Sequence, residues 1–206
     1  MAVKKIQELS FTKLELRIVK YLFRHYKDRY TPRSLARVLG VNHAHANSIC
    51  ALLQKKGLLT KEDIGNSDYY RFNYKNPLPI KFMEYLISLE EKEFPDWLQV
   101  PLHSLKQFEA LVDFGCVFGS STRSQEHHDI DVLLVYDKRK SKMVEKIKNE
   151  IRNSELVEKP MRYVDVTLED IQKNKDDTVF YMIISECIVF CHAEKYVEAI
   201  KILGAD

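Results

Sequence analysis

The segment VFGSSTRSQEHHDIDVLLV, residues 117–135, holds the side chains whose types and spacing can do chemistry. Asp129 and Asp131 stand two apart at the start of an apolar run, so on a strand they share one face. Two carboxylates facing one way repel each other and are costly beside a core unless a cation lies between them. Hard oxygen ligands with open positions suit Mg2+ or Mn2+ carrying phosphate oxygens. Ten residues upstream of Asp129, Gly119 allows the backbone to approach a phosphate closely, and Ser120 adds an N–H and a hydroxyl donor. A phosphate grip and a metal-binding acid pair on neighbouring strand ends are what phosphoryl or nucleotidyl transfer requires.

The elements that must position these groups are legible around them. Phe114 to Phe118 reads as an apolar strand, residues 121–127 as a polar loop or short helix, and Ile130 to Val135 as a buried strand. A helix is expected from Ser141 to Asn153, as an α/β crossover requires, before a third strand, Met161 to Thr167. A helix near Asp177 to Ser185, a strand from Cys187 to Cys191 and a last helix from Ala193 to Leu203 complete the pattern.

Taken together, Gly119-Ser120, the loop and Asp129-x-Asp131 ahead of an apolar strand resemble the DNA polymerase β-type nucleotidyltransferase superfamily, over residues 98–206. The nearest likeness is to its small, minimal group common in prokaryotes; Ser124 stands where that group often has Gly, and His128 where it often has Ser. The resemblance implies transfer of a nucleoside monophosphate from an NTP, ATP foremost, to an acceptor hydroxyl. It implies Mg2+ or Mn2+ held by Asp129 and Asp131, triphosphate held by Gly119, Ser120 and Arg123, and a third carboxylate on a later strand. Asp165 is the choice for that third acid, as metal ligand and proton acceptor. Asp170 competes, but it falls in a helix-start pattern, where an acid suits the dipole. Members of the group often work beside a small helical protein, which makes such a protein an expected partner.

The first 76 residues differ in character. They hold 15 Lys/Arg against 6 Asp/Glu, whereas residues 77–206 hold 17 against 24. A basic module beside an acidic one points to two domains with different partners, phosphate-rich polymer being the obvious one for the first. An amphipathic helix is expected from Thr12 to Tyr26. A second begins at Thr31-Pro32, is buried through Leu35, Val38 and Leu39, and stops at Gly40. A third, capped by Asn42, runs from His43 to Lys56 with Ile49, Leu52 and Leu53 inward. Two strand-like runs, Leu58 to Lys61 and Asp68 to Tyr74, flank the turn Ile64-Gly65-Asn66-Ser67. Through TPRSLARVLGVNHAHANSICALLQKKGLL and DYYRFNY the region resembles the winged helix-turn-helix family. That resemblance implies His43, His45, Asn47 and Ser48 as base readers in the major groove of DNA. Arg33, Arg37, Lys55, Lys56, Lys61 and Arg71 are the candidates for phosphate contacts. The competing role is a protein-interaction module with a solvated charged face.

The expected fold class is therefore α+β: a winged helix-turn-helix over residues 1–76, a linker helix in 77–97, and a small mixed-sheet α/β domain over 98–206. The helix expected from Pro79 to Glu93, with Phe82, Met83, Leu86 and Leu89 in register, either packs on its own chain or pairs with its twin in a homodimer. The opening MAVKKIQELSFTK has no apolar signal-peptide core, and the apolar run Val179 to Cys191 is too short to span a bilayer, so a cytoplasmic protein is expected. Cys50, Cys116, Cys187 and Cys191 sit in apolar segments and are expected as buried thiols, and Cys187-x-x-x-Cys191-His192 as core rather than a zinc site. The alternative to an enzyme is a DNA-binding transcriptional regulator whose transferase-like domain only binds nucleotide or dimerises.

Overall fold

The computed structural model describes residues 10–154, 156 and 158–205. It is a mixed α+β structure that divides into two compact units, residues 1–76 and 77–206.

In the first unit, α1 spans Lys13–Arg24 and opens on a reciprocal cap, in which Thr12 accepts from the Glu15 N–H and the Glu15 carboxylate accepts from the Thr12 N–H. Its stripe of Ile18, Val19, Leu22 and Phe23 is buried. Helix α2, Pro32–Leu39, starts under a Thr31 cap with proline in its first turn, where a missing N–H costs nothing. It ends at Gly40, whose φ of +66° is the left-handed position that glycine takes without strain. Helix α3, His43–Lys55, follows at once, Asn42 accepting from the N–H groups of Ala44 and His45. Its inward face is Ala46, Ile49, Cys50 and Leu53. Val38 and Leu52, expected inward, are 53% and 42% exposed. In both helices the buried stripe is narrower than the apolar one and includes alanines, Ala36 in α2 and Ala46 in α3. Strands β1, Leu59–Ile64, and β2, Ser67–Phe72, pair antiparallel with Leu59 opposite Phe72. Phe72 brings its ring edge-on to Phe23 and Tyr74, which ties the hairpin to α1.

The second unit is built on a four-stranded sheet of β3 (Phe114–Phe118), β4 (Ile130–Val135), β5 (Met161–Val166) and β6 (Ile188–Cys191), in the order β5-β4-β3-β6. Only β4 and β5 pair parallel, and the helix Ser141–Arg152 makes the crossover a parallel pair needs. Helix α4, Pro77–Ser88, begins two residues earlier than the sequence pattern suggests and stops at Ser88, before a 3-10 turn at Glu90–Glu93. It belongs to this unit and is no free linker, since it packs against the last helix, Ala193–Gly204, and buries Ile80, Met83, Leu86 and Ile87. In chain order the remaining helices are α5 (Gln99–Leu105), α6 (Ser141–Arg152), α7 (Leu168–Lys173), α8 (Thr178–Glu186) and α9 (Ala193–Gly204).

Both faces of the central strands β3 and β4 are covered, whereas β5 leaves Val164 exposed. On one, Val117, Ile130, Val132 and Leu134 meet Phe108 together with Val144 and Ile151 of α6, and Met161 and Tyr163 pack at the margin. On the other, Phe114, Cys116, Leu133 and Val135 are buried, with the Phe114 ring edge-on to Tyr196 of α9. All four cysteines are buried free thiols. Among the described residues no helix is long and apolar enough to cross a membrane.

Candidate functional site: an acid pair under a glycine turn

Strand β4 opens on the acid pair. Pairing places Asp131 opposite Phe118, the last residue of β3, so the chain leaving β3 must turn directly over the Asp131 carboxylate. Gly119 makes that turn at φ +79° and ψ −154°, a region open to little besides glycine. A Cβ placed there would lie 2.5 Å from Asp131 Oδ2. The missing side chain is thus what lets the Gly-Ser turn and the carboxylate share one spot.

The loop beyond is tied down from several sides. Ser120–Thr122 forms a 3-10 turn in which the Thr122 hydroxyl donates to the Gly119 carbonyl at 2.8 Å. Trp97 donates its indole N–H to the Ser121 carbonyl at 2.9 Å. His127, expected as a loop residue, is buried, and its Nδ1–H donates to the Ser124 carbonyl at 3.0 Å. Lys159 donates to the Gln125 carbonyl at 2.7 Å. Trp97, His127 and Lys159 also line a cavity of about 260 Å³ behind the loop, on the side of Ile130. Ser120 itself is exposed. Arg123, expected at the triphosphate, pairs with Glu186 at the end of α8 at 2.7 Å.

Asp129 and Asp131 are both half-buried, and Asp129 lies close enough for its charge to act on Asp131. Burial, and next the Asp129 charge, raise the Asp131 carboxyl above its ordinary value, with Arg162 partly offsetting them. This is the electrostatic condition a divalent cation relieves.

Asp165 does not join them. The parallel register sets Asp131 level with Arg162, Leu133 with Val164, and Leu134 with Asp165. Level residues share a face, so Asp165 lies on the α6 side with Leu134, opposite the acid pair. There it pairs with Lys148 of α6, a side chain only 5% exposed that also meets Glu145 at 2.8 Å. A buried ammonium needs such a partner, which gives Asp165 a structural task. Tyr136 shares this carboxylate; burial first, and then the Asp165 charge and hydrogen bond, push its phenol up to about 12. Asp170 is the N-terminal cap partner of α7, accepting from Thr167, so it is not the third acid either. Among the described residues no group of three acidic, His or Cys side chains converges for a metal.

The side chain that does face the pair from β5 is Arg162. Its Nε donates to Asp129 Oδ2 at 2.8 Å. Sequence reading missed it because Arg162 and Asp165 are an odd number of residues apart and must face opposite ways. Only the strand register says which of the two meets the acids.

In the first unit the structure brings part of the expected DNA surface together. His43, His45, Asn47, Ser48 and Lys55 are exposed on α3, and Arg33 and Arg37 on α2. Three of the expected phosphate ligands are otherwise occupied. Lys56 donates to the nearly buried Glu15 at 3.0 Å and sits over the Phe11 ring, Lys61 is held between Asp63 and Asp68 at 3.0 Å each, and half-buried Arg71 donates to the Tyr26 carbonyl at 3.1 Å. The β1–β2 hairpin accordingly presents Asp63 and Asp68 around one neutralised lysine, while its Glu62 pairs with Arg29 at 2.9 Å.

No family model, curated protein or solved structure matches this chain.

Proposed function

We propose that residues 77–206 form a metal-dependent nucleotidyltransferase of the minimal, polymerase β-like kind, and that residues 1–76 form a winged helix-turn-helix that docks it on DNA. The observation that carries the first half is the Gly119 turn seated on the Asp131 carboxylate, with Asp129 beside it. Phosphate-binding backbone and metal-binding acids then lie within one contact distance of each other.

The donor set fits one hard divalent cation, Mg2+ or Mn2+, held by Asp129 and Asp131, with phosphate and water oxygens filling the remaining positions. Bound there, the cation supplies neutralisation of the triphosphate charge during in-line displacement at the α-phosphate. The chain's own groups do the rest. Gly119 admits the phosphate to the backbone, exposed Ser120 offers N–H and hydroxyl donors, and the loop carbonyls clamped by Trp97, His127 and Lys159 keep those donors in place. Asp165 takes no part.

A second reading is favoured by one specific observation. With Asp165 turned to α6 and arginine at the acid pair, the site has the means to bind a metal–nucleotide but lacks the third acid as base. The protein is then a DNA-binding regulator that senses nucleotide. Incubation with each α-labelled NTP, Mn2+ and whole-cell protein and RNA separates the two. Label transferred to an acceptor supports the transferase, whereas tight binding without transfer supports the regulator.

For the N-terminal unit, the exposed face of α3, flanked by Arg33 and Arg37 of α2, suits a DNA groove. The acidic hairpin would bring no phosphate contacts, so affinity rests on the helices.

A further inference from the structure

We infer that Arg162 is a built-in cation of the acid pair that exchanges Asp129 for the polyphosphate of an incoming nucleotide, so that metal and nucleotide bind cooperatively. This rests on the proposed nucleotide site and deepens it.

Three observations converge. The strand register puts Arg162 level with Asp131, the position on β5 from which a side chain reaches the pair. Its guanidinium is bonded to Asp129 at 2.8 Å, which satisfies half of an acid pair that would otherwise stand uncompensated. The exposures are lopsided: the Arg162 side chain is 73% exposed, whereas that of Asp129 is 15% exposed. The acid is set in the wall, and the base lies mostly in solvent on β5, an edge strand of the sheet. A metal arriving alone must displace a charged hydrogen bond to reach Asp129. A metal arriving with a triphosphate need not strand the arginine, because a phosphate accepts the same planar fork. The difference between the two routes is a coupling free energy, and it must appear equally in both ligands' affinities.

The test is titration of the full chain with Mn2+, followed by electron paramagnetic resonance of the free ion. It is run with and without a non-hydrolysable ATP analogue, on wild type, Arg162→Ala and Arg162→Lys. Circular dichroism checks the fold, which removal of an exposed edge-strand side chain leaves intact. In the wild type, nucleotide is expected to tighten Mn2+ binding. In Arg162→Ala, Mn2+ alone binds about three- to tenfold tighter, the range of one charged hydrogen bond at a part-exposed site, and the coupling to nucleotide falls by a similar factor. Arg162→Lys keeps the charge without the fork and falls between. Unchanged Mn2+ affinity and unchanged coupling in Arg162→Ala, with the wild type binding both ligands, overturn the inference while leaving the nucleotide site standing. A wild type that binds no Mn2+ in either condition overturns the site itself, and the role of Arg162 with it.

Discussion

Replacing Gly119 with alanine is the substitution whose cost is read most directly from the structure. At φ +79° and ψ −154° an alanine carries about 1–3 kcal/mol of backbone strain. Its Cβ would also stand 2.5 Å from Asp131 Oδ2, where ordinary contact begins near 3.4 Å. The carboxylate must therefore retreat by roughly 1 Å along a strand packed on both sides, which raises the sum to about 2–4 kcal/mol. Against a typical domain stability of about 5–15 kcal/mol, that is a large fraction. The chain has one tryptophan, Trp97, and it lies in the second unit, so tryptophan fluorescence in urea reports on that unit's unfolding. Gly119→Ala is expected to lower the unfolding free energy, read from the urea midpoint and slope, by that amount and to abolish Mn2+-dependent nucleotide binding. Ser120→Ala, exposed and one residue away, should shift stability by no more than about 0.5 kcal/mol. A Gly119→Ala protein with an unchanged midpoint and intact Mn2+ binding would refute the close approach on which the site is built.

Four further outcomes are expected. Asp165→Ala strips a buried lysine of one of its two carboxylates and should cost about 1–3 kcal/mol in urea denaturation, yet leave Mn2+ affinity where it was; lost Mn2+ binding in a folded variant would return Asp165 to the site. Because Asp131 is held above its ordinary 3.8, the folded state binds this proton more tightly than the unfolded chain. That contribution is whole below 3.8 and is lost as pH rises through the raised value, so metal-free Asp131→Asn should be more stable than wild type at neutral pH, by a margin that shrinks on acidification. Trp97 is bonded to the phosphate loop, so Mn2+ with nucleotide should change its fluorescence in wild type and not in Asp129→Asn/Asp131→Asn. On duplex DNA, fluorescence anisotropy against salt should lose about one unit of slope for Arg37→Ala and about one for Lys55→Ala, and almost none for Lys61→Ala, whose charge is already matched.

What the sequence made legible follows from how locally each feature is determined. The helices of the first unit announce themselves through their ends, Thr12, Thr31-Pro32, Gly40 and Asn42, because capping needs only three or four neighbouring residues. The Gly-Ser turn and the acid pair are equally plain, since Asp131 lies at the start of one short strand with Asp129 just ahead of it, two residues apart, and both are read from a few neighbouring residues. Asp165 was misassigned for the opposite reason. Its face depends on the register between β4 and β5, which is set by how α6 packs across 25 intervening residues, and slipping one residue inverts every side chain. Buried Lys148 was the one hint, a lysine on the inner side of an amphipathic helix that must find an acid somewhere. The exposure of Val38 and Leu52 is hidden likewise, because how much of an apolar stripe is covered depends on the helices packed against it and not on the stripe itself.

The central claim is that the Gly119 turn and the Asp129/Asp131 pair form a metal–nucleotide site. Isothermal calorimetry of ATP, CTP, GTP and UTP with Mn2+, on wild type and on Asp129→Asn/Asp131→Asn, tests it most directly. Metal-dependent binding of at least one nucleotide by the wild type, lost in the folded double variant, is the predicted result. Binding that survives in the double variant, or no binding by the wild type to any of the four, would contradict it.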